Sequence, residues 1–201
     1  MIMLRLAYAA LAISSTALAF QQEAERDKDV YAIYSLMLTN LQTSHGPYEG
    51  DRYLIAAVTG PANPQEPCVR PPAERETDFR EALTDYLRRR GAPRELKAQF
   101  KIEKPYFFLS SADVAAFEAE RSRPDGRFRG VSDLIILSDV YFNQRRTLAL
   151  SAISTWCGSL CSMHQWKAFE KSESGEWRER DWGTCSAVAE VRRTGAANGP
   201  R

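Results

Sequence analysis

The stretch that decides the fold is residues 148–171, LALSAISTWCGSLCSMHQWKAFEK. Apolar and polar residues alternate on either side of a short segment of small residues, which is typical of two antiparallel strands joined by a turn. We predict a three-residue loop at 158–160 that places Cys157 opposite Cys161. Counting back from that pair sets the register of both strands.

The predicted register sorts the side chains onto two faces. One face is mostly apolar and collects Leu148, Leu150, Ala152, Ser154 and Trp156 against Glu170, Ala168, Trp166, His164 and Ser162. The other face is mixed, and pairs Thr155 with Met163, Ile153 with Gln165, Ser151 with Lys167 and Ala149 with Phe169. This pattern predicts a sheet covered by helices on one side.

The turn after the hairpin also has a predicted register. A loop at 173–175 sets Glu170 opposite Arg178, which opposite charges favour over the alternative pairing with Glu179. It also places Gly175 where a bulged turn needs a positive φ. The helical period disappears after Asp133, and strand-length runs at 134–142, 147–156, 161–171 and 176–182 predict an antiparallel meander.

The residues before the meander are predicted to be largely helical. The segments 23–42, 74–90 and 110–120 are predicted helices, with apolar residues at helical spacing in the first two and a capping box at Ser110–Asp113 in the third. The segments 51–60 and 100–109 are predicted to be extended, with a Pro-rich loop after the first. The fold class is therefore α+β, with N-terminal helices packed on a C-terminal antiparallel β-meander.

The N-terminus has the features of a signal peptide. Arg5 precedes an apolar run too short to span a bilayer, and Ala17-Leu18-Ala19 has the form that signal peptidase cleaves. We predict a signal peptide at 1–19, a single domain at 20–188 and a flexible tail at 189–201. The mature protein is then periplasmic or secreted, without membrane insertion after cleavage.

The charge balance argues against two classes of partner. The chain has 27 basic and 26 acidic side chains, and loss of Arg5 leaves 26 of each. A protein that binds nucleic acid or an anionic membrane surface usually has a basic excess. We therefore expect an unidentified protein or small molecule as the partner, and no nucleic acid.

Four cysteines in an exported chain predict disulfides. The hairpin geometry favours Cys157–Cys161, which leaves Cys68 to pair with Cys185, although crossed pairings stay open. A zinc site formed by Cys157, Cys161, Cys185 and His164 is the alternative. It is disfavoured because His164 lies on the opposite face from the hairpin cysteines, so no metal or other cofactor is expected. A redox-active pair at Cys157 and Cys161 is a third interpretation, and its β context is unlike the helix N-terminus such pairs use.

Two groups of residues are candidates for binding. His164 lies beside Trp156 and Trp166 on the apolar face, where Ser154 could serve as a partner. Arg127 and Arg129 belong to a group of four arginines around the turn at 124–126, which a solvated loop also explains. The sequence has none of the common hydrolase, metalloprotease or phosphate-loop motifs.

Part of the chain resembles a group of uncharacterised exported bacterial proteins. The resemblance covers 131–182 and rests on a strand of the form SxVxFN at 138–143, on Cys157-Gly158-Ser159-Leu160-Cys161, and on Lys171, Gly175 and Trp177. It departs from the family at Ser162-Met163, where a Gly-containing sequence is usual. The family has no established activity, so the resemblance implies export and a β-hairpin. A helix followed by a meander also looks like NTF2-like cone domains, a likeness of fold alone.

Two functions follow as hypotheses. The first is a non-enzymatic binding or accessory domain, and the absence of enzyme motifs favours it. The alternative is a hydrolase-type enzyme with a small pocket that uses His164.

Overall fold

A computed structural model of the chain describes residues 2–41, 52–60, 67–121, 125–128, 134–158, 161–183 and 186–188. Its helices are α1 (Ile2–Thr39), α2 (Glu76–Arg89) and α3 (Ser111–Arg121), with a 3-10 turn at Ala73–Arg75. Its strands are β1 (Tyr53–Ala56), β2 (Tyr106–Leu109), β3 (Leu134–Leu137), β4 (Tyr141–Phe142), β5 (Leu148–Gly158), β6 (Cys161–Lys171), β7 (Trp177–Arg180) and β8 (Ser186–Val188).

The long hairpin of β5 and β6 has the predicted register from Leu148–Glu170 to Trp156–Ser162. The prediction fails at the tip, where a bulge between Trp156 and Gly158 puts Gly158, and not Cys157, opposite Cys161. The extra residue shortens the loop by one on the β5 side. The next turn is as predicted, because Glu170 lies opposite Arg178 and Gly175 has a φ of 83°.

The α+β fold class is confirmed, but the sheet is mixed and not a simple meander. The described strands form one sheet in the order β2-β1-β3-β5-β6-β7, with β4 on β5 and β8 on β6. Strand β1 is parallel to both β2 and β3, whereas β5, β6 and β7 form the predicted antiparallel part. Parallel pairing requires long crossover connections, and these come from the helical first half of the chain.

Helices cover both faces of the sheet, so the prediction of cover on one side is wrong. Helix α1 packs on the mixed face through Val30, Ile33, Tyr34, Met37 and Leu38, all fully buried against residues that include Ala149, Ile153 and Phe169. Helices α2 and α3 pack on the other face, where Ala82 and Tyr86 contact the Trp166 cluster and Phe117 contacts Leu134 and Trp156. The mixed face is buried because its polar members find partners: Lys167 is bonded to Glu179.

The helices agree with the sequence except at particular positions. Helix α1 is continuous from Ile2 and ends at Thr39, so it runs across the predicted cleavage position. Helix α2 buries Ala82 and Tyr86, whereas Leu87, which helical spacing predicts on the same face, is 49% exposed. The cap of α3 is confirmed, since the Asp113 amide donates to Ser110 Oγ at 3.2 Å. No helix of the described segments is long and apolar enough to cross a membrane.

The segment predicted as one strand at 134–142 is broken by a bulge. The pairing Leu137–Ile153 is followed by Tyr141–Leu150, so three residues face two. Ser138 causes the break: its Oγ accepts the Ala152 amide at 2.7 Å, in the place of a main-chain carbonyl. The extra residue reverses the alternation of side chains, so that Val140 and Phe142 join Leu137 on the α1 side.

Asp29 fastens α1 to the turn between β6 and β7. Its buried carboxylate accepts Lys171 Nζ at 2.7 Å and Trp177 Nε1 at 2.9 Å. Lys171 Nζ also lies 5.3 Å from the centre of the Trp177 ring. The Lys and Trp of the sequence motif therefore have a structural role in holding the first helix on the sheet.

We predict that Asp29→Ala lowers the free energy of unfolding by about 2 kcal/mol or more, because a buried indole N–H and an ammonium lose their acceptor. Urea unfolding monitored by Trp fluorescence measures this change. Glu25→Ala is the matched control, since Glu25 is exposed on the same helix. Equal unfolding midpoints for the two variants would contradict the assigned role of Asp29.

Candidate functional site

The structure brings His164, Trp156 and Trp166 to one face of the sheet, as predicted. Ser154 Oγ and His164 Nδ1 are 2.8 Å apart on adjacent strands. The imidazole lies edge-on to Trp166, with ring centres 6.2 Å apart. Ser154 and His164 are therefore within hydrogen-bond distance of each other.

Among the described residues, His164 has no third member such as a catalytic triad requires. In the described part of the chain no carboxylate is bonded to the ring, and His164 Nε2 is buried without a hydrogen-bond partner. Burial lowers the pKa of His164 below its ordinary value of 6.5, so the neutral ring is favoured. A hydrolase base is normally oriented by a second hydrogen bond, which this imidazole does not make.

Trp166 is packed in the core, whereas Trp156 is only partly buried. Trp166 is 2% exposed and lies edge-on to Tyr86 at 5.3 Å. Trp156 packs on Phe117, with ring centres 5.3 Å apart, under α3. The ring of Trp166 is therefore not available to a ligand, whereas the role predicted for Trp156 stays a prediction.

The arginine group at 121–129 is described at Arg127 but not at Arg129, which lies outside the described residues. Arg127 binds Asp113 at 2.7 Å and Glu120 at 2.6 Å, and both carboxylates belong to α3. These contacts raise the pKa of Arg127. The pKa of Asp113 is lowered, mainly by the hydrogen bond from Ser110 and then by Arg127. Arg127 thus serves to hold the loop on α3.

The cysteines are only partly described. Cys68 does not carry a free thiol, whereas the side chains of Cys157 and Cys161 and the whole of Cys185 lie outside the described residues. The Arg70 amide donates to Trp182 O at 3.1 Å. Arg70 is two positions after Cys68, and Trp182 is three positions before Cys185. Among the side chains that are described, no cluster of three or more His, Cys, Asp or Glu could hold a metal ion; the zinc alternative depends on side chains outside that set.

A cluster of ion pairs forms around the buried Asp139 at the bulge in the sheet. Asp139, 2% exposed, is bonded to Arg89, and its Oδ1 accepts Arg94 Nε at 3.2 Å and the Val140 amide at 2.9 Å. Arg94 continues to Asp27 on α1 at 2.6 Å. Burial by itself would lower the pKa of Arg94, but Asp139 and Asp27 outweigh burial and raise it. This cluster joins both helices to the sheet, and its charges are neutralised within the fold.

A cavity of about 430 Å³ opens where α1, α2 and the turn at 142–146 meet. We call it the arginine cleft. It is lined by Arg26 from α1, by Glu81, Thr84, Asp85 and Arg88 from α2, and by Phe142, Asn143, Gln144 and Arg146 from the turn. Its volume is within the range of small-molecule sites.

The walls of the arginine cleft are held by hydrogen bonds to the main chain. Asp85 Oδ2 accepts the Phe142 amide at 3.1 Å, and Glu81 Oε2 accepts the Gln144 amide at 3.0 Å. Asn143 Oδ1 accepts the amides of Thr147 and Leu148, at 2.8 and 3.0 Å, while its Nδ2 donates to Asp78 at 2.8 Å. The turn is therefore fixed to α2 before any ligand arrives.

Sequence reasoning missed the arginine cleft, although it singled out part of its frame. Asn143 and the bulge residues belong to the SxVxFN pattern, which was taken as a strand. Arg26 lies in a highly charged helical segment, and nothing in the sequence relates it to Arg146. The sequence did contain one signal of an irregular strand. The SxVxFN pattern has polar residues at positions where a regular buried strand would have apolar ones.

We predict that His164 titrates below 6.5 when its Hε1 resonance is followed by NMR. The neutral ring is favoured in the fold, so the associated stability is full above the unfolded-state pKa and is lost as pH falls through the lowered folded pKa. The stability difference between the natural protein and His164→Gln should accordingly shrink on acidification from about pH 7.5 to 5. A pKa at or above 6.5 contradicts this assignment.

Comparison with known proteins finds no match to any protein-family model, to any curated protein or to any solved structure.

Proposed function

We propose that the protein is an exported, non-enzymatic binding domain whose ligand site is the arginine cleft. The observation that carries the proposal is a cavity of about 430 Å³ whose polar lining side chains come from three separate chain segments. Hydrogen bonds to the main chain hold its walls in place. Preformed concave sites of this size bind small molecules without a large cost in ordering.

The state of the other candidate groups supports binding over catalysis. The buried carboxylates Asp29, Asp78 and Asp139 each have cationic partners, so none is a free acid or base. Asp78 is held below its ordinary pKa, mainly by its hydrogen bond to Arg145. General acid–base catalysis needs a group that can exchange a proton near the working pH, and such pairing opposes it.

Ligand binding in the cleft is tested by a fragment screen followed by NMR of the backbone amides. We expect bound fragments to shift the resonances of 142–146, because these residues form one wall. Thr84→Trp should abolish those shifts by filling the cleft, whereas Thr77→Trp, exposed on the same helix, should leave them intact. A screen in which no fragment moves these resonances, or in which the two variants bind alike, overturns the proposed site.

A hydrolase that uses His164 is the second candidate, and the 2.8 Å contact between Ser154 and His164 is the observation in its favour. It predicts hydrolysis of an activated ester that Ser154→Ala and His164→Gln each reduce by about a hundredfold or more. On the binding hypothesis, we expect no difference between these variants and the natural protein. Loss of a measurable esterase rate in both variants would replace binding with catalysis as the function.

Export and disulfide formation belong to the same proposal. The signal features at 1–19 support export, and the contact between Arg70 and Trp182 supports a Cys68–Cys185 bond beside it. The second bond, Cys157–Cys161, is proposed across the bulged hairpin tip. An oxidising compartment outside the cytoplasm, periplasmic or extracellular, accounts for both bonds.

We predict that the exported protein begins at Phe20 and contains no free thiol. Expression with secretion, N-terminal sequencing and non-reducing peptide mapping measure both properties. The expected map has Cys68–Cys185 and Cys157–Cys161 peptides. An unprocessed N-terminus contradicts export, and free Cys157 and Cys161 contradict the hairpin bond.

A further inference from the structure

The charged groups of the arginine cleft are unequally satisfied. Glu81 and Asp85 accept main-chain amides, and Asp85 also binds Arg88 at 2.7 Å. The two remaining guanidiniums, Arg26 and Arg146, have no carboxylate within hydrogen-bond distance among the described residues. These two side chains therefore have hydrogen-bond donors that the described residues do not use.

Arg26 is half-buried on α1 and faces the turn. Its Nη2 donates to Val140 O at 3.2 Å, and its guanidinium lies 5.6 Å from the centre of the Phe142 ring. A guanidinium has several N–H donors in a planar fork, so most of those of Arg26 are left over. The Phe142 ring holds the fork in place without neutralising its charge.

Arg146 reaches the same cavity from the opposite wall. Its backbone has a φ of 52°, in the left-handed region that a residue with a side chain seldom adopts. The turn imposes this conformation, since the Arg146 amide donates to Asn143 O at 3.0 Å. Backbone strain of this kind persists where the surroundings fix it, and it is concentrated at functional sites.

The Arg146 guanidinium has no hydrogen bond within the described structure. Its buried Nη1 forms a long ion pair with Asp29, 3.8 Å from Oδ2, but makes no hydrogen bond. Asp29 is already bonded to Lys171 and Trp177 through its other oxygen. The Arg146 side chain is 36% exposed, so its remaining donors, and not the buried Nη1, are those that a ligand in the cleft would contact.

We infer that the arginine cleft binds a small molecule through a carboxylate group, held between Arg26 and Arg146. This inference rests on the proposed binding function and specifies the ligand of the same site. Three arginines and two carboxylates line the cleft, so its net charge is +1. That excess matches one negative charge, and the carboxylates of Glu81 and Asp85 oppose a doubly charged phosphate.

Matched probes test this inference on the full mature chain. Propionate and propionamide have nearly the same shape and differ in charge, and inorganic phosphate adds a second charge. Each is titrated at one ionic strength while the amides of 142–146 are followed by NMR. We expect saturable shifts with propionate, at least about tenfold tighter binding than propionamide, and weaker binding of phosphate.

Variants assign the effect to the two side chains. Arg26→Gln and Arg146→Gln should each weaken propionate binding by about tenfold or more and leave propionamide unchanged. Arg178→Gln is the control, because Arg178 is exposed outside the cleft and lies 3.9 Å from Glu176. Thermal unfolding confirms that every variant is folded before it is titrated.

Each outcome has a defined meaning. Equal binding of propionate and propionamide, or equal effects of the three variants, overturns the carboxylate site while leaving a cleft that binds neutral fragments. Tighter binding of phosphate than of propionate contradicts a site for a single negative charge. Failure of every probe, in a cleft that the fragment screen shows to be a ligand site, also overturns this inference without overturning the proposed function.

Discussion

The bulge at residues 138–140 is the constraint on which the rest of the structure depends. The Ser138 hydroxyl takes the Ala152 amide from the main-chain ladder, and one extra residue enters the strand. That residue reverses which side chains face α1, directs Asp139 to Arg89 and Arg94, and sets where Phe142 and the following turn lie. Without the shift, Phe142 would face α2 and could not lie beneath Arg26.

Ion pairs centred on two buried aspartates join the layers of this protein. Asp139 connects the sheet to the end of α2 and, through Arg94 and Asp27, to α1. Asp29 connects α1 to the far turn through Lys171 and Trp177. Such pairs are costly to break, because loss of one partner leaves the other charge desolvated and uncompensated. Arg26 and Arg146 differ from these residues, since neither guanidinium is hydrogen-bonded to a carboxylate among the described residues.

Much of the local structure could be predicted from the sequence. The register of Leu148–Trp156 against Ser162–Glu170 follows from alternation, and the turn at Gly175 follows from a glycine that permits a positive φ. The buried face of α1 follows from helical spacing at Val30, Tyr34, Met37 and Leu38. His164, Trp156 and Trp166 lie on one face as predicted, but Trp166 is a core residue. Alternation of polar and apolar residues shows which side chains share a face of the sheet. It does not show which element packs on that face.

The sequence by itself determined the hairpin, the helices and the α+β class, because these depend on contacts between residues close in the chain or on strict periodicities of 2.0 and 3.6. Only the tertiary structure decided the parallel pairing of β1, the cover of both sheet faces and the arginine cleft. Arg26 and Arg146 are 120 positions apart in the numbering, and no local pattern relates them. Their proximity comes from the one-residue bulge and from Asp29, which together fix α1 against the turn.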